Sequence, residues 1–164
     1  MSVSPFSVKH VEALELLVAA LERSGAWYRA TGGLAGNLHG STWPLHDIDV
    51  DYRGSEWPGI EEALRPYLVS GPQSYTDDEF RLTMAVARIA GVDVELCQLE
   101  GCFVNGPTGL HLLDADPRKR ERRTAHGLTM WTMPLDDLIF YKELLGRSAD
   151  LSDLRKIAAS REST

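Results

Sequence analysis

The chain has 164 residues and a formal net charge of −7 at pH 7, with 43% hydrophobic and 25% charged residues. This composition is ordinary for a globular domain and excludes large-scale disorder, while the acidic balance argues against a broad electrostatic surface for nucleic acid. We therefore predict a single domain over residues 1–164 with one sizeable core.

The sequence offers no pattern for a membrane or an oxidising compartment. No apolar run approaches the ~20 residues needed to span a bilayer, and charged side chains interrupt the apolar stretch near the N-terminus, unlike in a signal peptide. The two cysteines, Cys97 and Cys102, fit neither a disulfide framework nor a metal-ligand spacing. These features predict a cytoplasmic protein that does not associate with membranes.

The first third of the chain predicts two helices and two strands. Apolar residues at helical spacing cover residues 8–23, and Gly25 ends that helix. β-forming residues at 27–31 predict a short strand, and residues 34–39 are compatible with a short helix. Residues 46–52 alternate acidic and apolar side chains, which predicts a strand with three acids on one face: Asp47, Asp49 and Asp51.

Two features of this region indicate phosphate and metal chemistry. Gly32 and Gly33 lie between the predicted strand and helix, where a glycine pair lets a phosphate approach backbone N–H groups. Asp47 and Asp49 would stand side by side, and carboxylates this close resist ionisation unless a cation lies between them. Mg²⁺ binds one or two carboxylates together with substrate phosphates. The pattern therefore indicates a site for a nucleoside triphosphate.

The middle of the chain predicts a helix followed by an antiparallel pair of strands. The helix covers residues 58–68, and Gly71-Pro72 marks a turn after it. Strands are predicted over 80–89 and 92–99, since apolar and polar side chains alternate on both sides of Ala90-Gly91. We predict a glycine-rich connector over residues 101–109.

The last third predicts two strands and a helix pair. A short strand is predicted over residues 110–113 and a final strand over 127–133, followed by helices at 134–145 and 150–161, with Asp150 as the cap of the second. Residues 118–123 form a dense basic run. Two interpretations stay open for it: a solvated surface, or one or two arginines that reach a triphosphate or a polyanionic acceptor.

Two segments resemble one known superfamily. Gly32-Gly33 followed by Asp47-Ile48-Asp49-Val50 resembles the signature of the DNA polymerase β-like nucleotidyltransferases. The run from Leu135 to Leu154 resembles the C-terminal helix pair of their small members, which include lincosamide and aminoglycoside nucleotidyltransferases and abortive-infection toxins. The resemblance implies an α+β fold: a small mixed β-sheet flanked by helices, with its core in 26–100 and a C-terminal strand and helix pair in 127–161.

The resemblance also implies a reaction. Members of this superfamily move a nucleoside monophosphate from a nucleoside triphosphate to an acceptor hydroxyl and release pyrophosphate. By this resemblance Asp47 and Asp49 would bind two Mg²⁺ ions, with Mn²⁺ as an alternative, and a third carboxylate would come from a neighbouring strand. Asp93 is our choice, because Val92-Asp93-Val94-Glu95 is similar to the equivalent strand of the aminoglycoside-modifying members; Glu95 is the reserve.

The resemblance places further residues around the nucleotide. Gly32 and Gly33 would bind its phosphates, and Lys142 would face the nucleotide and neutralise phosphate charge. A second set of residues is interpreted as ion pairs that tie the two C-terminal helices together: Arg147, Asp150 and Asp153. The acceptor stays open between a small antibiotic, an RNA such as a tRNA 3′ end, and a protein hydroxyl, and a homodimer is one way to complete the site.

One departure from the superfamily pattern supports a competing prediction. Many members carry an arginine in the spacer before the acidic strand, but no arginine lies between Arg29 and Arg53 here, and His46 directly precedes Asp47. A catalytically inactive nucleotidyltransferase-fold module, which binds a nucleotide or a protein partner, is therefore the alternative function.

Overall fold

The computed structural model describes residues 3–163, which form five α-helices and a mixed β-sheet of nine strands. The helices are α1 (Val8–Ser24), α2 (Gly32–Leu38), α3 (Trp57–Leu64), α4 (Leu135–Leu145) and α5 (Ser148–Glu162). The strands are β1 (Tyr28–Ala30), β2 (Ile48–Tyr52), β3 (Leu68–Thr76), β4 (Phe80–Ile89), β5 (Val92–Gln98), β6 (Phe103–Gly106), β7 (Gly109–Leu112), β8 (Glu121–Ala125) and β9 (Leu128–Thr132). Short 3₁₀ turns flank α3 at Gly54–Glu56 and Arg65–Tyr67. In residues 3–163 we find no helix with the length and apolar character that a membrane crossing requires.

The acidic strand β2 lies inside the sheet, whose order is β7-β6-β4-β5-β2-β1-β9-β8, with β3 paired to β4. On one side β2 pairs antiparallel with β1, and on the other it pairs in parallel with β5. β1 in turn pairs in parallel with β9. Both neighbours of β2 can therefore bring side chains to its acids, and the mixed pairing confirms the predicted α+β fold.

The main core fills one face of this sheet. α1 begins at a capping box between Ser7 and His10 and ends at Gly25, whose φ of 68° is the left-handed conformation that favours glycine. The apolar side chains of β2 are buried with those of α1 and α3 in one cluster. Because side chains alternate along a strand, this packing turns Asp49 and Asp51 to the opposite face. A smaller apolar cluster there joins α2, α4 and α5.

Three strands lie where the sequence predicted other structure. β3 replaces the predicted turn at Gly71-Pro72: it is an edge strand with an exposed pattern, and its register shifts between Ser70 and Gln73, which accommodates the proline. β6 occupies part of the predicted connector at 101–109. β8 forms from the basic run at 118–123, where Arg120 stacks over the ring of Trp131 at 3.9 Å from its centroid.

The start of α5 also differs from the prediction. The helix begins after Arg147, and no side chain caps it there. Asp150 lies in the first turn instead and pairs with Lys142 of α4, with 3.1 Å between Oδ2 and Nζ. An acid in the first turn still interacts favourably with the helix dipole.

β6 and α4 approach each other backbone to backbone. A Cβ added at Gly106 would collide with the main-chain carbonyl of Leu144. Only a residue without a side chain fits at this contact, so the glycine sets the distance between the sheet and the helix that carries Lys142.

Candidate active site

Asp49 and Glu95 form the centre of the site. The parallel register of β2 and β5 sets these two residues opposite each other, and their carboxyl groups are hydrogen-bonded. The pKa of Asp49 lies well above its usual range, first because of burial and then because of the hydrogen bond to Glu95 and the charges of Glu95, Asp47 and Asp51. Ionisation of Asp49 is therefore opposed in the absence of a cation, and a cation bound beside it would favour the ionised form.

Asp51 forms an ion pair with Arg29. Arg29 lies opposite it on β1 and donates from Nε to Asp51 Oδ2 at 2.8 Å, and both side chains are buried. Arg29 also donates to the main-chain carbonyl of Lys119 at 2.7 Å. Burial raises the pKa of Asp51, and the adjacent guanidinium opposes that rise. Asp51 is thus half of a buried ion pair in the wall of the site.

The remaining predicted acids lie in different places. Asp47 is exposed, directly before β2, and its charge acts on Asp49. Asp93 lies at the opening of β5 and accepts from Arg88, with Nε and Nη2 both 2.9 Å from Oδ1. Our first choice for the third carboxylate is therefore held in a surface ion pair. The register brings the reserve, Glu95, to Asp49 instead.

Two cavities meet at Asp49. The sheet cavity, of about 270 Å³, is lined by residues of β3, β4 and β5, among them Glu95. The spacer cavity, of about 410 Å³, is lined by spacer residues 41 and 43–47, among them Asp47. Five residues line both: Gly32, Gly33, Asp49, Lys142 and Arg147. The two cavities therefore form one cleft with a shared centre that contains four of the predicted site residues.

At the first position of the glycine pair, the absence of a side chain leaves room for the Asp49 carboxylate. Gly32 has a φ of +58°, and a Cβ there would lie 2.8 Å from Asp49 Oδ2. Gly33 has no such constraint, and the nearest atom to a Cβ there is a Leu45 methyl at 3.8 Å. Gly32 is therefore required both for the left-handed turn into α2 and for the space that the carboxylate fills.

Two cationic side chains lie at the shared centre. Lys142 is only 5% exposed and bonds Asp150, so it ties α4 to α5 while lining the cleft. Arg147 donates from Nη2 and Nε to the two carboxylate oxygens of Glu79, at 2.6 and 3.1 Å. Arg147 thus reaches the β3–β4 connection, although the sequence assigned it to the helix pair. No sequence signal linked it to Glu79, because the two lie far apart in the chain.

The other residues of the helix pair and the basic run lie outside the cleft centre. Asp153 accepts a hydrogen bond from Ser41 of the spacer at 2.6 Å, so it anchors the spacer to α5. Among the described residues that line the two cavities, none comes from the basic run at 118–123. Ion pairs engage this run instead, for example Arg118 with Asp116. Its placement fits the surface interpretation.

The two cysteines are free thiols in the wall of the sheet cavity. Burial raises the pKa of the Cys97 thiol well above its usual value, and it raises the pKa of Cys102 to about 12. The reactive form of cysteine is the thiolate. Both residues are therefore protonated at neutral pH and are poor nucleophiles there.

The donor set fits a hard divalent cation. Asp49 and Glu95 present oxygen atoms only, and a bound cation would oppose the repulsion between acids that helps to raise the pKa of Asp49. Within residues 3–163, no three acidic, histidine or cysteine side chains are already arranged as a cation site. The exposed Asp47 would therefore have to turn toward Asp49 to add a third carboxylate.

The raised pKa of Asp49 predicts how this residue's contribution to stability depends on pH. The pKa lies above its ordinary value of 3.8, so above that pH the folded protein keeps a proton that the unfolded chain releases. The contribution of Asp49 to stability must then fall as pH rises from about 3.8 through the folded-state pKa. We expect urea titrations of the metal-free protein to show this fall as a difference from an Asp49 variant that cannot ionise, and millimolar Mg²⁺ to offset it.

Asp49→Asn is the control for this titration, because the amide cannot ionise. The stability of the wild type relative to this variant should fall as pH rises over the same window. Parallel pH curves for the two proteins would contradict the raised pKa of Asp49.

Comparison with known proteins identifies the fold. No family model and no curated protein sequence matches the chain. Among solved structures, a candidate nucleotidyltransferase of Thermotoga maritima superposes with a TM-score of 0.70 at 18% identity, over 93% of this chain and 94% of that one. The chain therefore has the nucleotidyltransferase fold, as the sequence predicted.

Two antibiotic-modifying proteins share this fold. The lincosamide antibiotic adenylyltransferase LnuA, solved with lincomycin bound, matches with a TM-score of 0.57 at 12% identity, over 88% of this chain and 96% of that one. ANT(2″)-Ia, solved with adenylyl-2″-tobramycin, matches with a TM-score of 0.55 at 12% identity, over 91% and 92% of the two chains.

Proposed function

We propose that the protein is a metal-dependent nucleotidyltransferase, which moves a nucleoside monophosphate from a nucleoside triphosphate to an acceptor hydroxyl and releases pyrophosphate. The observation that carries the proposal is that Asp49 and Glu95 lie opposite each other in a cleft, beside Gly32, where the Asp49 carboxylate fills the space that a side chain would take. The fold supports it, since one neighbour is an antibiotic adenylyltransferase and another was solved with an adenylylated antibiotic.

The proposed cation ligands are Asp47, Asp49 and Glu95, with Mg²⁺ as the expected ion and Mn²⁺ as the substitute. When bound, two such ions would neutralise the triphosphate and lower the pKa of the acceptor hydroxyl. Glu95 takes the place of Asp93 in this proposal, because Asp93 is paired with Arg88.

The placement of the acids suggests which substrate fills which cavity. Asp47 lines only the spacer cavity, Glu95 only the sheet cavity, and Asp49 lines both. We therefore assign the nucleotide to the spacer cavity and the acceptor to the sheet cavity. The triphosphate would lie at the shared centre, where Lys142 and Arg147 supply positive charge.

In the proposed reaction Glu95 accepts the proton of the acceptor hydroxyl. The freed oxygen forms a bond to the α-phosphorus, and the bond from that phosphorus to the bridging oxygen of the β-phosphate breaks. Lys142 and Arg147 stabilise the negative charge that develops on the leaving pyrophosphate. Gly32 and Gly33 let the phosphate chain approach the main chain.

The lining of the sheet cavity favours a small acceptor over RNA. Carboxylates of Asp77, Glu79 and Asp114 line it together with the acids already described, and its aromatic wall contains Tyr75 and Phe80. Carboxylates repel a polyanion and attract cationic groups. We therefore propose a small hydroxyl-bearing acceptor with a cationic group and an apolar part.

The third carboxylate provides the sharpest test of this assignment. Glu95→Gln should lower the rate of pyrophosphate release by about 10²–10⁴-fold, the usual contribution of a general base, whereas Asp93→Asn should stay within about threefold of wild type. The assay measures pyrophosphate from each NTP with Mg²⁺ and a panel of aminated and neutral hydroxyl acceptors. Loss of activity in Asp93→Asn with retention in Glu95→Gln would reverse the assignment.

An inactive nucleotide-binding module is the second candidate. The observation that favours it is that both cations at the cleft centre are already paired with acids, Lys142 with Asp150 and Arg147 with Glu79. Calorimetry with Mg²⁺ and each NTP separates the two functions when combined with the release assay. Nucleotide binding without pyrophosphate release for any acceptor would favour the module.

A further inference from the structure

Trp43 is about half exposed and lies on a loop whose main chain is held by hydrogen bonds. The residue is 49% exposed and lines the spacer cavity. The buried Asn37 donates from Nδ2 to the carbonyl oxygens of Ser41 and Trp43, at 3.1 and 2.9 Å. The N–H of Trp43 donates in turn to Ser41 Oγ at 3.2 Å. The main chain at Trp43 is therefore anchored, while about half of the residue's surface remains accessible to a ligand.

The other tryptophans are engaged elsewhere. Trp27 is buried and donates its indole N–H to the carbonyl of Pro117 at 2.8 Å. Trp57 packs against Tyr52, with 5.3 Å between ring centroids, and Trp131 is covered by Arg120. All four tryptophans lie within the described residues, and of these Trp43 alone lines either cavity.

The spacer cavity offers contacts for both parts of a nucleotide. At the shared centre it holds cations and the glycine pair, which suit a triphosphate. The rest of its lining is mixed: polar and acidic residues stand beside five apolar ones, which are Trp43, Pro44, Leu45, Leu138 and Leu154. A nucleobase is flat and aromatic, and aromatic side chains stack on every base because each base has a π face.

We propose that Trp43 is the platform on which the nucleobase of the donor nucleotide stacks. The inference rests on the proposed function, since the triphosphate at the shared centre is what brings the base to this wall. Stacking adds affinity without reading hydrogen-bonding groups. Trp43 therefore holds the base but does not choose among bases.

Two ligands separate the base from the phosphates: the α,β-methylene analogue of ATP and inorganic tripolyphosphate, each titrated with Mg²⁺ by calorimetry. Trp43→Ala should weaken the nucleotide analogue about tenfold or more, within the range measured for base–aromatic stacking, and leave tripolyphosphate within twofold of wild type. Trp43→Phe should recover most of the loss, and the quenching of tryptophan emission by the analogue should shrink in this variant.

Phe140→Ala is the matched control, because Phe140 is 58% exposed and lines neither cavity. It should bind both ligands as the wild type does. Equal weakening of both ligands in Trp43→Ala would mean that Trp43 only shapes the loop, and unchanged nucleotide binding would mean that the base lies elsewhere. Either result overturns the inference. If the wild type binds neither ligand, the proposed function itself fails.

Discussion

Asp49→Asn is expected to lower pyrophosphate release by roughly 10³-fold while the protein stays folded. Asp49 lines both cavities, pairs with Glu95 across the two strands and lies beside Gly32, so its loss affects the cation site and both substrate cavities. Charge stabilisation of several kcal/mol by bound cations corresponds to a factor of this size. Binding of Mn²⁺, measured by calorimetry, should weaken in parallel.

The folded state of Asp49→Asn should be at least as stable as the wild type near neutral pH. Burial and neighbouring acids oppose ionisation of Asp49, and an amide removes that conflict. Thermal denaturation measures this effect. An active variant, or one with unchanged cation binding, would contradict the assignment of Asp49.

Asp51→Asn is the matched control, two residues along the same strand. It leaves the buried guanidinium of Arg29 without its carboxylate, and breaking a buried ion pair in this way costs about 3–5 kcal/mol. We therefore expect opposite outcomes from neighbouring acids: one variant folded and inactive, the other destabilised. Equal losses of stability would show that Asp49 is structural.

Gly32→Ala is the second substitution with a large expected effect. Its φ of +58° costs an alanine about 1–2 kcal/mol. The added Cβ would also lie 2.8 Å from Asp49 Oδ2, so the carboxylate must move. Misplacement of a reacting group by about 1 Å can lower a rate by about 10²-fold. We expect a reduced melting temperature together with a drop of that size in pyrophosphate release.

Gly33→Ala tests whether any alanine in the glycine pair destabilises the protein, or only an alanine at the left-handed position of Gly32. Gly33 lies in α2 without a left-handed φ, and its Cβ would make an ordinary contact with Leu45. Its melting temperature should equal or exceed that of the wild type, since alanine favours helix. If both alanine variants lose the same stability, the contact with Asp49 is not the cause of the Gly32 effect.

The sequence predicted the elements whose signal is local. Hydrophobic periodicity predicted α1, and the alternation of acids with apolar residues predicted β2. β3 and β8 were missed because they lie at or near a sheet edge. β3 contains Gly71-Pro72 and tolerates them through a register shift. Arg120, just before β8, and Arg122 of β8 lie over the ring of Trp131 on β9, a contact that the basic run alone does not indicate.

The sequence motifs indicated several residues of the candidate site, but they could not show how neighbouring strands align. Of the predicted residues, Gly32, Gly33, Asp49 and Lys142 line both cavities of the cleft, and their roles stay predictions. The choice between the two acids of β5 was not decidable from their spacing. Asp93 and Glu95 share a face, and only the register between β5 and β2 selects one of them.

Ion pairs between residues far apart in the chain could not be predicted from the sequence either. Asp51 looks the same as Asp49 in the alternating run, yet Arg29 on the adjoining strand neutralises it. Arg147 became a cleft residue only through the arrangement of α4, α5 and the β3–β4 connection. Both pairs depend on tertiary structure.

The contact at Gly106 has a consequence for anyone who wishes to redesign the acceptor preference of this protein. The exposed positions in the wall of the sheet cavity, such as Tyr75 and Asp77, can be randomised in a library. Position 106 cannot be varied, since even a methyl group would strike the main chain of Leu144 and lift α4, with Lys142 on it, away from the acids. A selection experiment should therefore return glycine at this position regardless of the substrate used.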